Sequence, residues 1–461
     1  MGDLAVERTP IPGLLVVRLE VGTDDRGWFA ETWQRAKMTA LGLPDFSPVQ
    51  ANIAHNDARG TTRGLHAEPW DKLVTIACGR AYAAWVDLRA GATFGMTYAV
   101  ELEPGLAVFV PRGVGNGYQT LVDDTAYTYL VNDHWRPDAT YIAVDPADPA
   151  LGIAWPIAPA DRVVSEKDRT APALADVAGV EPRRPLVLGS SGQVGRALLS
   201  TFPRAIGVDL GELDLTDDEQ LEEWPWTDHD VVLNAAAYTA VDLAETADGR
   251  RAAWAVNAGI PASLARLAVG HGFTVVHYST DYVFDGTRDE HDEDEPLSPL
   301  GVYGQTKAAG DLALVAVPRH YVLRTSWVVG DGANFVRTMA RLADEGATPS
   351  VVSDQIGRLT FADELARATH HLLASDAPYG TYQVTNSGRP MSWADVAREI
   401  FAVRGRDPDD VSGITTEEYA AGRSVAPRPA SSVLSTRRIE ATGFEPADAL
   451  EALRAYASSL P

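Results

Sequence analysis

The stretch Pro185-Leu186-Val187-Leu188-Gly189-Ser190-Ser191-Gly192-Gln193-Val194-Gly195 runs from three apolar residues straight into closely spaced glycines. The apolar residues predict a short buried strand, and residues 194–202 have the pattern of a helix. Glycines at such a turn let the backbone approach a pyrophosphate, whose negative charge the N-terminus of the helix favours. The stretch therefore predicts a dinucleotide-binding fold.

The chain after this stretch alternates between strand-like and helical segments. Residues 205–208, 231–234 and 274–278 have strand patterns, and residues 258–269 have a helical one. This alternation is typical of a doubly wound parallel sheet. Asp209 directly follows the second strand, where a carboxylate can accept a hydrogen bond from a ribose hydroxyl. That position favours NADH over NADPH as the cofactor.

Two further motifs in this half carry the chemistry of a carbonyl reductase. Thr280 and Asp281 end a predicted strand, at the edge where parallel sheets bind ligands. Tyr303 and Lys307 are four residues apart and lie on one face of a predicted helix. A phenol has a pKa of about 10, and we expect the neighbouring ammonium to lower it. Tyr303 can then protonate a carbonyl oxygen, to which Thr280 can also donate a hydrogen bond.

Residues 1–168 have a different pattern from the rest of the chain. They contain short strand-like segments that glycine and proline separate, such as residues 81–88 and 126–131. This spacing predicts an all-β barrel or sandwich. Residues 169–184 have no clear periodicity and are predicted to be a linker. The predicted domains are therefore residues 1–168 and residues 185–461.

Composition excludes several classes of protein. The net charge of −25 argues against a nucleic-acid-binding protein, which needs a basic surface. No apolar segment approaches the roughly 20 residues of a membrane span, and no signal-peptide pattern is visible, so we expect a cytoplasmic protein. Cys78 is the single cysteine and excludes an intrachain disulfide. We interpret the acidic run at residues 289–295 as a solvated loop rather than a metal site.

The first half has candidates for proton transfer but not for metal binding. His66 has no second histidine nearby, and Asn116 stands where a further ligand would be needed, so we predict no metal site. His66 can act as a base near neutral pH. Lys72 can stabilise a developing enolate oxygen, and Tyr129 is a candidate acid.

Residues 185–461 resemble the extended short-chain dehydrogenase/reductase family and, within it, the dTDP-4-dehydrorhamnose reductases. The resemblance rests on the strings at residues 192–195, 234–242, 277–284 and 324–328, with Tyr303 and Lys307. It implies Thr280, Tyr303 and Lys307 as catalytic residues, with Asp281 and Trp327 at the substrate. It implies binding of NADPH or NADH by Gly189, Gly192, Gln193, Val194, Gly195, Asp209, Asp214, Leu215, Ala235, Ala236, Ala237, Tyr278, Tyr303 and Lys307. Ala197 replaces the glutamate that binds Mg²⁺ in some members, so we expect no such metal.

Residues 1–170 resemble the dTDP-4-dehydrorhamnose 3,5-epimerases, which are metal-free, cupin-type jelly rolls. The resemblance rests on the strings at residues 25–31, 50–52, 63–66, 72–74, 86–89, 111–113 and 148–156. It implies His66 as the base, Tyr129 as the acid and Asp168 as the residue that orients His66. The implied substrate contacts are Arg26, Glu31, Gln50, Asn52, Arg63, Lys72, Asn116 and Lys167. Asn116 replaces a histidine that is usual in the family, and Thr140 replaces an acidic residue.

These resemblances together predict a bifunctional enzyme that acts on a dTDP-4-dehydro-6-deoxyhexose. The first domain would epimerise C3 and C5 beside the C4 ketone, and the second would then reduce that ketone, giving dTDP-L-rhamnose. One alternative is the same chemistry with epimerisation at a single carbon and a different 6-deoxyhexose product. Another is a reductase whose first domain is a silent binding or dimerisation module. We expect a homodimer through the first domain.

Overall fold

The computed structural model describes residues 3–135, 141–375 and 377–461, so Thr140 lies outside the described residues. The chain divides into two compact units, Met1–Pro182 and Arg183–Pro461. No helix in the described ranges is long and apolar enough to cross a membrane.

The first unit consists mainly of antiparallel strands. Its described helices are α1 (Arg35–Ala40) and α2 (Glu166–Arg169). Its described strands are β1 (Ala5–Arg8), β2 (Leu15–Arg18), β3 (Val21–Asp24), β4 (Gly27–Ala30), β5 (Gln50–Asn56), β6 (Thr61–Ala67), β7 (Lys72–Cys78), β8 (Ala81–Asp87), β9 (Thr97–Leu102), β10 (Leu106–Val110), β11 (Val114–Thr120), β12 (Thr125–Val131), β13 (Ile142–Ala143) and β14 (Val163–Val164).

Two sheets of the first unit enclose a common core. One sheet has the order β1-β2-β10-β7-β12-β5, and the other has the order β13-β6-β11-β8-β9 with β14 pairing with β6. Val74 and Tyr127 of the first sheet pack in one buried cluster with Trp85 and Tyr118 of the second. Alternate residues of each strand therefore point into the sandwich, as the period of a strand requires. This arrangement confirms the predicted β fold of jelly-roll type.

Much of the segment that was predicted to be a linker packs on the first unit. Leu174 and Val177 contact the buried cluster that contains Leu65 and Val86. Val180 forms a bridge with Arg89, and its amide donates to the Leu88 carbonyl. These apolar side chains are spaced too irregularly for a periodic pattern, so the sequence alone did not indicate their burial.

The second unit alternates strands and helices around a parallel sheet. Its described helices are α3 (Gln193–Thr201), α4 (Asp218–Glu223), α5 (Ala247–Trp254), α6 (Ile260–His271), α7 (Val302–Leu314), α8 (Phe335–Asp344), α9 (Ala362–Ala374), α10 (Trp393–Val403), α11 (Thr416–Ala420), α12 (Arg437–Glu440) and α13 (Ala449–Ser459). Its described strands are β15 (Leu186–Leu188), β16 (Ile206–Val208), β17 (Val231–Asn234), β18 (Thr274–Thr280), β19 (His320–Thr325), β20 (Val328–Val329), β21 (Ser350–Val352), β22 (Ile356–Gly357), β23 (Thr360–Phe361), β24 (Gly380–Gln383), β25 (Met391–Ser392), β26 (Ser412–Ile414) and β27 (Ser431–Ser432).

The main sheet has the order β16-β15-β17-β18-β19-β24, and all its strands are parallel. One face packs against α3 and α9, and the other packs against α6 and the end of α7. The fold is therefore the predicted doubly wound Rossmann type. Its strand order reverses between β15 and β17, and such a reversal opens the crevice in which these sheets bind ligands.

A smaller C-terminal portion has a separate buried cluster. This cluster contains side chains of α8, α10 and α13, such as Val336, Ile400 and Leu453. Helix α10 begins with a capping box in which Ser392 and Asp395 satisfy each other's backbone amides. Trp393 of this portion stacks on Trp327 of the loop after β19, with ring centroids 3.7 Å apart. This stack joins the portion to the loop at the carboxyl end of β19.

Candidate active sites

The first candidate site lies on the inner face of β6. His66 Nε2 is 2.7 Å from Asp168 Oδ1, and the Asp168 side chain is buried. Asp168 is held on α2, where the Ser165 hydroxyl accepts from its amide. The other carboxylate oxygen accepts from the amide of Gly64 at 3.4 Å. The imidazole therefore has one edge fixed by a carboxylate, as a positioned base requires.

Asn116 lies opposite His66 in the β11–β6 register. Its Oδ1 accepts a hydrogen bond of 2.9 Å from the buried Tyr127 hydroxyl. The Tyr127 ring stacks on Tyr118 at 4.0 Å. Burial raises the pKa of Tyr127 well above its usual value. The Asn116 amide therefore accepts the hydrogen bond of a buried, neutral phenol and adds no charge to the core.

A buried ion pair adjoins Tyr129. Lys72 Nζ pairs with a carboxylate oxygen of Glu68, and the Lys72 side chain is only 6% exposed. The same ammonium lies 5.3 Å from the centroid of the Tyr129 ring. Burial lowers the pKa of Lys72, whereas the charge of Glu68 raises it. Burial and the Glu68 charge both raise the pKa of Tyr129, so its phenol stays protonated near neutral pH.

Glu68 was missed by the sequence analysis, although its position four residues before Lys72 is visible in the sequence. Asn56 was missed as well. Its side-chain oxygen accepts from Arg63 Nε at 3.0 Å and from the Tyr118 hydroxyl at 3.3 Å. Glu68 is in the loop between β6 and β7, whereas Asn56 acts through contacts between strands, which have no recognisable spacing in the sequence.

Other predicted substrate contacts of this unit form two groups. Asn52 pairs with Tyr129 across β5 and β12, and Gln50 Nε2 donates to Asn52 Oδ1 at 2.9 Å. By contrast, Arg26 is at the turn of the β3–β4 hairpin, where its side chain is 90% exposed and pairs with Asp24. Glu31 follows that hairpin and pairs with Lys37, and Lys167 is exposed beside Asp168 on α2. The structure does not bring Arg26 or Glu31 into contact with His66. Arg26 is on the β3–β4 hairpin and Glu31 directly follows it, and this hairpin pairs with no other strand in the described part of the unit.

The second candidate site begins at the glycine turn between β15 and α3. Gly189 has a φ of +75°, and a Cβ there would lie 2.7 Å from the backbone nitrogen of Ala236. Gly192 precedes the first residue of α3, and a Cβ on Gly195 would collide with the Gly189 carbonyl oxygen. The backbone is therefore open at the helix N-terminus, which fits the pyrophosphate of a dinucleotide.

Several predicted cofactor contacts surround this turn. Asp209 Oδ2 accepts from the Ser190 hydroxyl at 2.7 Å and from the Ser191 amide at 2.9 Å. Gln193 Oε1 accepts from the Gly330 amide at 2.7 Å. The remaining residues have the following places: Val194 is in the first turn of α3 and packs against the core, Asp214 accepts from Thr216, Leu215 is buried, and Ala235, Ala236 and Ala237 follow β17.

Tyr278 has its side chain in the core rather than at the crevice. It is 7% exposed, and its hydroxyl is 2.9 Å from the Thr369 hydroxyl of α9. Its carbonyl oxygen points the other way and accepts from Lys307 Nζ at 2.5 Å. The part of Tyr278 that is available to the site is therefore its backbone.

Thr280, Tyr303 and Lys307 meet at the carboxyl end of β18. The Tyr303 phenol is hydrogen-bonded to Thr280, whose hydroxyl also donates to Asp281 Oδ1 at 2.9 Å. Burial raises the pKa of Tyr303 well above its usual value, and the charge of Asp281 raises it further. Our expectation that Lys307 lowers this pKa was therefore wrong: Lys307 is not among the groups that shift it, and its ammonium contacts the Tyr278 carbonyl instead. Burial also lowers the pKa of Lys307 to about 8.

Asp281 and Trp327 border this group. Asp281 is buried, which raises its pKa to about 6, and hydrogen bonds from Ser432 and Thr280 oppose the rise. Trp327 has a φ of +47°. A Cβ on Gly357 would lie 2.8 Å from the Trp327 ring, so the glycine lets the indole lie against the backbone.

Two residues outside the predicted set hold the helix that carries Tyr303 and Lys307. Glu245 Oε1 accepts from the amide of Val302 at 2.8 Å and so caps the first turn of α7. Asn257 is buried; it bonds to both backbone groups of Tyr238 and donates to the Thr306 hydroxyl at 3.2 Å. Asn257 lies in a π-helical turn at residues 255–259. Such turns are frequent at functional sites, but they have no clear sequence pattern.

The acidic run at residues 289–295 is only partly solvated, so our interpretation of it was wrong in part. Asp292 and Asp294 are exposed, whereas the side chains of His291, Glu293 and Glu295 are buried. His291 stacks on Phe284 at 4.7 Å, and its Nδ1 lies 3.0 Å from Glu295 Oε2. Alternate side chains of the run therefore point inward, which its composition concealed. No group of three or more metal-binding side chains occurs among the described residues.

Comparisons with known proteins agree with the division into two units. Residues 8–176 match the family model for dTDP-4-dehydrorhamnose 3,5-epimerase, and residues 183–460 match the model for the RmlD substrate binding domain. A protein from Streptococcus pyogenes named as an RmlC homolog is 44% identical over 180 residues, which cover 38% of this chain and 90% of that protein. A dTDP-4-dehydrorhamnose reductase from Aggregatibacter actinomycetemcomitans is 38% identical over 300 residues, which cover 59% of this chain and 99% of that protein.

Solved structures extend the likeness of the second unit. The crystal structure of a dTDP-4-dehydrorhamnose reductase from Clostridium acetobutylicum is 35% identical, with a TM-score of 0.55 over 59% of this chain and 98% of that one. The structure of the reductase from Bacillus anthracis in complex with NADP is 31% identical, with a TM-score of 0.55 over 60% of this chain and 98% of that one. The chain thus belongs to the RmlD family through residues 183–460 and to the dTDP-4-dehydrorhamnose 3,5-epimerase family through residues 8–176.

Proposed function

We propose that this chain is a bifunctional enzyme that converts dTDP-4-dehydro-6-deoxy-D-glucose into dTDP-L-rhamnose. The first unit epimerises C3 and C5, and the second reduces the C4 ketone with NADPH or NADH. One observation carries the proposal: a single chain matches both families and contains both the His66–Asp168 pair and the Thr280–Tyr303–Lys307 group. The functional domains are proposed to be residues 1–168 and residues 185–461.

In the epimerisation, His66 would act as the base that removes a proton from a carbon beside the ketone. Asp168 would keep the imidazole in position and stabilise the imidazolium that forms. The Lys72 ammonium would stabilise the enolate oxygen, and its pairing with Glu68 keeps it charged in a buried setting. Tyr129 would return a proton to the opposite face. The raised pKa of Tyr129 fits this role, because only a protonated phenol can donate.

In the reduction, NADPH or NADH supplies the hydride when it is bound at the glycine turn. Tyr303 would donate the proton to the O4 atom, and Thr280 would donate a hydrogen bond to the same oxygen. The positive charge of Lys307 would stabilise the phenolate that Tyr303 becomes. The ketone must persist until epimerisation ends, because it is what acidifies C3 and C5. Epimerisation must therefore precede reduction.

We also propose that the chain forms a homodimer joined through the first unit. The β3–β4 hairpin carries Trp28 and Phe29, which are 46% and 72% exposed. Large apolar side chains favour contact with another chain when they stand on a hairpin that pairs with no other strand in the described part of the unit. Phe29→Asp should convert a dimer to a monomer in light scattering coupled to gel filtration. A monomeric wild type would overturn this part of the proposal.

A cytoplasmic location is proposed as well, because the cofactor and a nucleotide sugar are available there. Cell fractionation would test this location.

Incubation of the substrate in D₂O without cofactor tests the epimerase half. Deuterium at both C3 and C5 supports the proposal, whereas deuterium at one carbon indicates another 6-deoxyhexose product. The absence of exchange would show that the first unit is a silent module. For the reductase half, Tyr303→Phe should nearly abolish NAD(P)H oxidation and leave deuterium exchange intact. Normal oxidation by that variant would refute the assignment of Tyr303.

A further inference from the structure

The reductase half of the chain contains a buried histidine whose role is not explained by the reaction described above. His277 is on β18, three residues before Thr280, and is 1% exposed. Its Nε2 lies 3.3 Å from Lys307 Nζ, and its Nδ1 lies 3.0 Å from Asn234 Nδ2. Lys307 and Asn234 are also almost completely buried. The three side chains therefore form a continuous polar group beneath the crevice.

The position of the imidazole proton follows from the donors around it. A lysine ammonium can only donate, so Nε2 must be the acceptor in its contact with Lys307. A neutral imidazole then carries its proton on Nδ1. The proton on Nδ1 needs an acceptor on Asn234, and Asn234 Oδ1 is buried without a hydrogen-bond partner among the described residues. A half-turn of the amide brings that oxygen to His277, where it accepts the proton on Nδ1.

We propose that His277, as a neutral imidazole protonated on Nδ1, is a positioning residue that holds the Lys307 ammonium in the reductase site. The inference rests on the proposed reductase function. Lys307 uses one of its three N–H groups on the Tyr278 carbonyl at 2.5 Å and a second on His277. The third remains for the reacting groups. Without His277 the ammonium would have one fixed contact, and its long side chain could turn away.

The charges around Lys307 explain why a neutral acceptor is needed. Asp311 on α7 attracts the ammonium, but its carboxylate is engaged by Arg324 of β19 at 3.0 Å. Tyr303 on α7 is protonated, as its raised pKa implies. Burial and the charge of Lys307 hold the pKa of His277 well below its usual value. The imidazole therefore stays neutral throughout the range in which the ammonium titrates.

Replacement of His277 should change the pH dependence of the reduction. His277→Phe removes the acceptor and keeps a planar ring, whereas His277→Gln places an amide oxygen near the position of Nε2. Loss of one hydrogen bond to a charged group should lower the pKa of Lys307 by about one unit, so His277→Phe should lose kcat/KM on the alkaline side about one pH unit earlier than the wild type. His277→Gln should restore much of the alkaline range.

The matched control is His320→Phe. His320 is another buried histidine, on the neighbouring strand β19, and its Nδ1 contacts the Val317 carbonyl. This variant should keep the wild-type pH profile. An unchanged profile for His277→Phe, or equal losses in the Phe and Gln variants, would overturn the inference. Equal shifts in His277→Phe and His320→Phe would also overturn it, because they would reflect general destabilisation.

A second measurement does not depend on activity. Nitrogen chemical shifts of ¹⁵N-histidine in the full wild-type chain report the tautomer of each ring, with His277→Gln used to assign the His277 signals. A neutral His277 with its proton on Nδ1 from pH 6 to pH 8 supports the inference, even if the His277→Phe variant fails to fold. A proton on Nε2, or an imidazolium at pH 7, would refute it. Failure of the reductase assignment would appear separately, as a wild type that does not oxidise NAD(P)H with the ketosugar.

Discussion

His66 Nε2 and Asp168 Oδ1 lie 2.7 Å apart although 102 positions separate the two residues in the chain. Strand β6 presents the imidazole on the inner face of the sandwich, and the short helix α2 returns the carboxylate to it. The Asp168 carboxylate also accepts from the amide of Gly64, two residues before His66. One buried carboxylate therefore fixes both the side chain and the strand that bears it.

Asp168→Asn should slow deuterium exchange at C3 and C5 by about 100-fold or more, because the neutral amide cannot stabilise the imidazolium that His66 becomes. Exchange is measured by proton NMR in D₂O without cofactor, and NAD(P)H oxidation with a pre-epimerised ketosugar should stay unchanged. Glu166→Gln, an exposed change on the same helix, serves as the control. Equal exchange rates in Asp168→Asn and the wild type would contradict the positioning role of Asp168.

Glu68→Gln should move the alkaline limit of epimerisation to lower pH. Burial already lowers the pKa of Lys72, and the charge of Glu68 is what opposes that shift. Removal of the carboxylate lowers this pKa further, so the active ammonium is lost earlier as the pH rises. The pH profile of deuterium exchange measures the effect, and Glu101→Gln on the exposed side of β9 is the control. An unchanged profile would mean that the charge of Lys72 does not contribute to the reaction.

Gly189→Ala should weaken NADH binding by at least about tenfold, which corresponds to about 1.4 kcal/mol. The residue has a φ of +75°, and an added Cβ would lie 2.7 Å from the backbone nitrogen of Ala236, so the turn must shift. Fluorescence titration with NADH measures the affinity. Gly211→Ala is the control, because an added Cβ there meets no atom within 4 Å. Wild-type affinity in Gly189→Ala would place the pyrophosphate elsewhere.

Asp209→Ser should shift cofactor preference towards NADPH. The Asp209 carboxylate sits beside the turn, where it can accept from a ribose hydroxyl and repels a 2′-phosphate. We expect the ratio of kcat/KM for NADPH to that for NADH to rise about tenfold, a difference of about 1.4 kcal/mol. Asp218→Asn, an exposed change on α4, is the control. Equal losses with both cofactors would indicate that Asp209 only supports the Ser190–Ser191 turn.

Both fold classes could be predicted because their signals are local. A period of two between turn residues indicates β strands, and strand–glycine–helix order indicates a dinucleotide fold. The packing of Leu174 and Val177 on the first unit and the burial of alternate side chains in the acidic run could not be predicted, because both depend on which residues the folded chain places beside them. Asn257 and His277 were missed for the same reason: each acts through a contact with a distant strand or helix. Glu68 was missed although it stands only four residues before Lys72, because the sequence does not show that the loop between β6 and β7 brings the two side chains together.

By itself, the sequence determined that a β domain precedes a parallel α/β domain and that each contains the residue types for proton transfer beside a ketone. These features follow from periodicity, glycine placement and short motifs, which act over a few residues. Only the tertiary structure decided which side chains meet: Asp168 with His66, Glu68 with Lys72, and His277 with Lys307. The protonation of Tyr303 and Lys307 was likewise decided by burial and by neighbouring charges, which exist only once the strands and helices have packed.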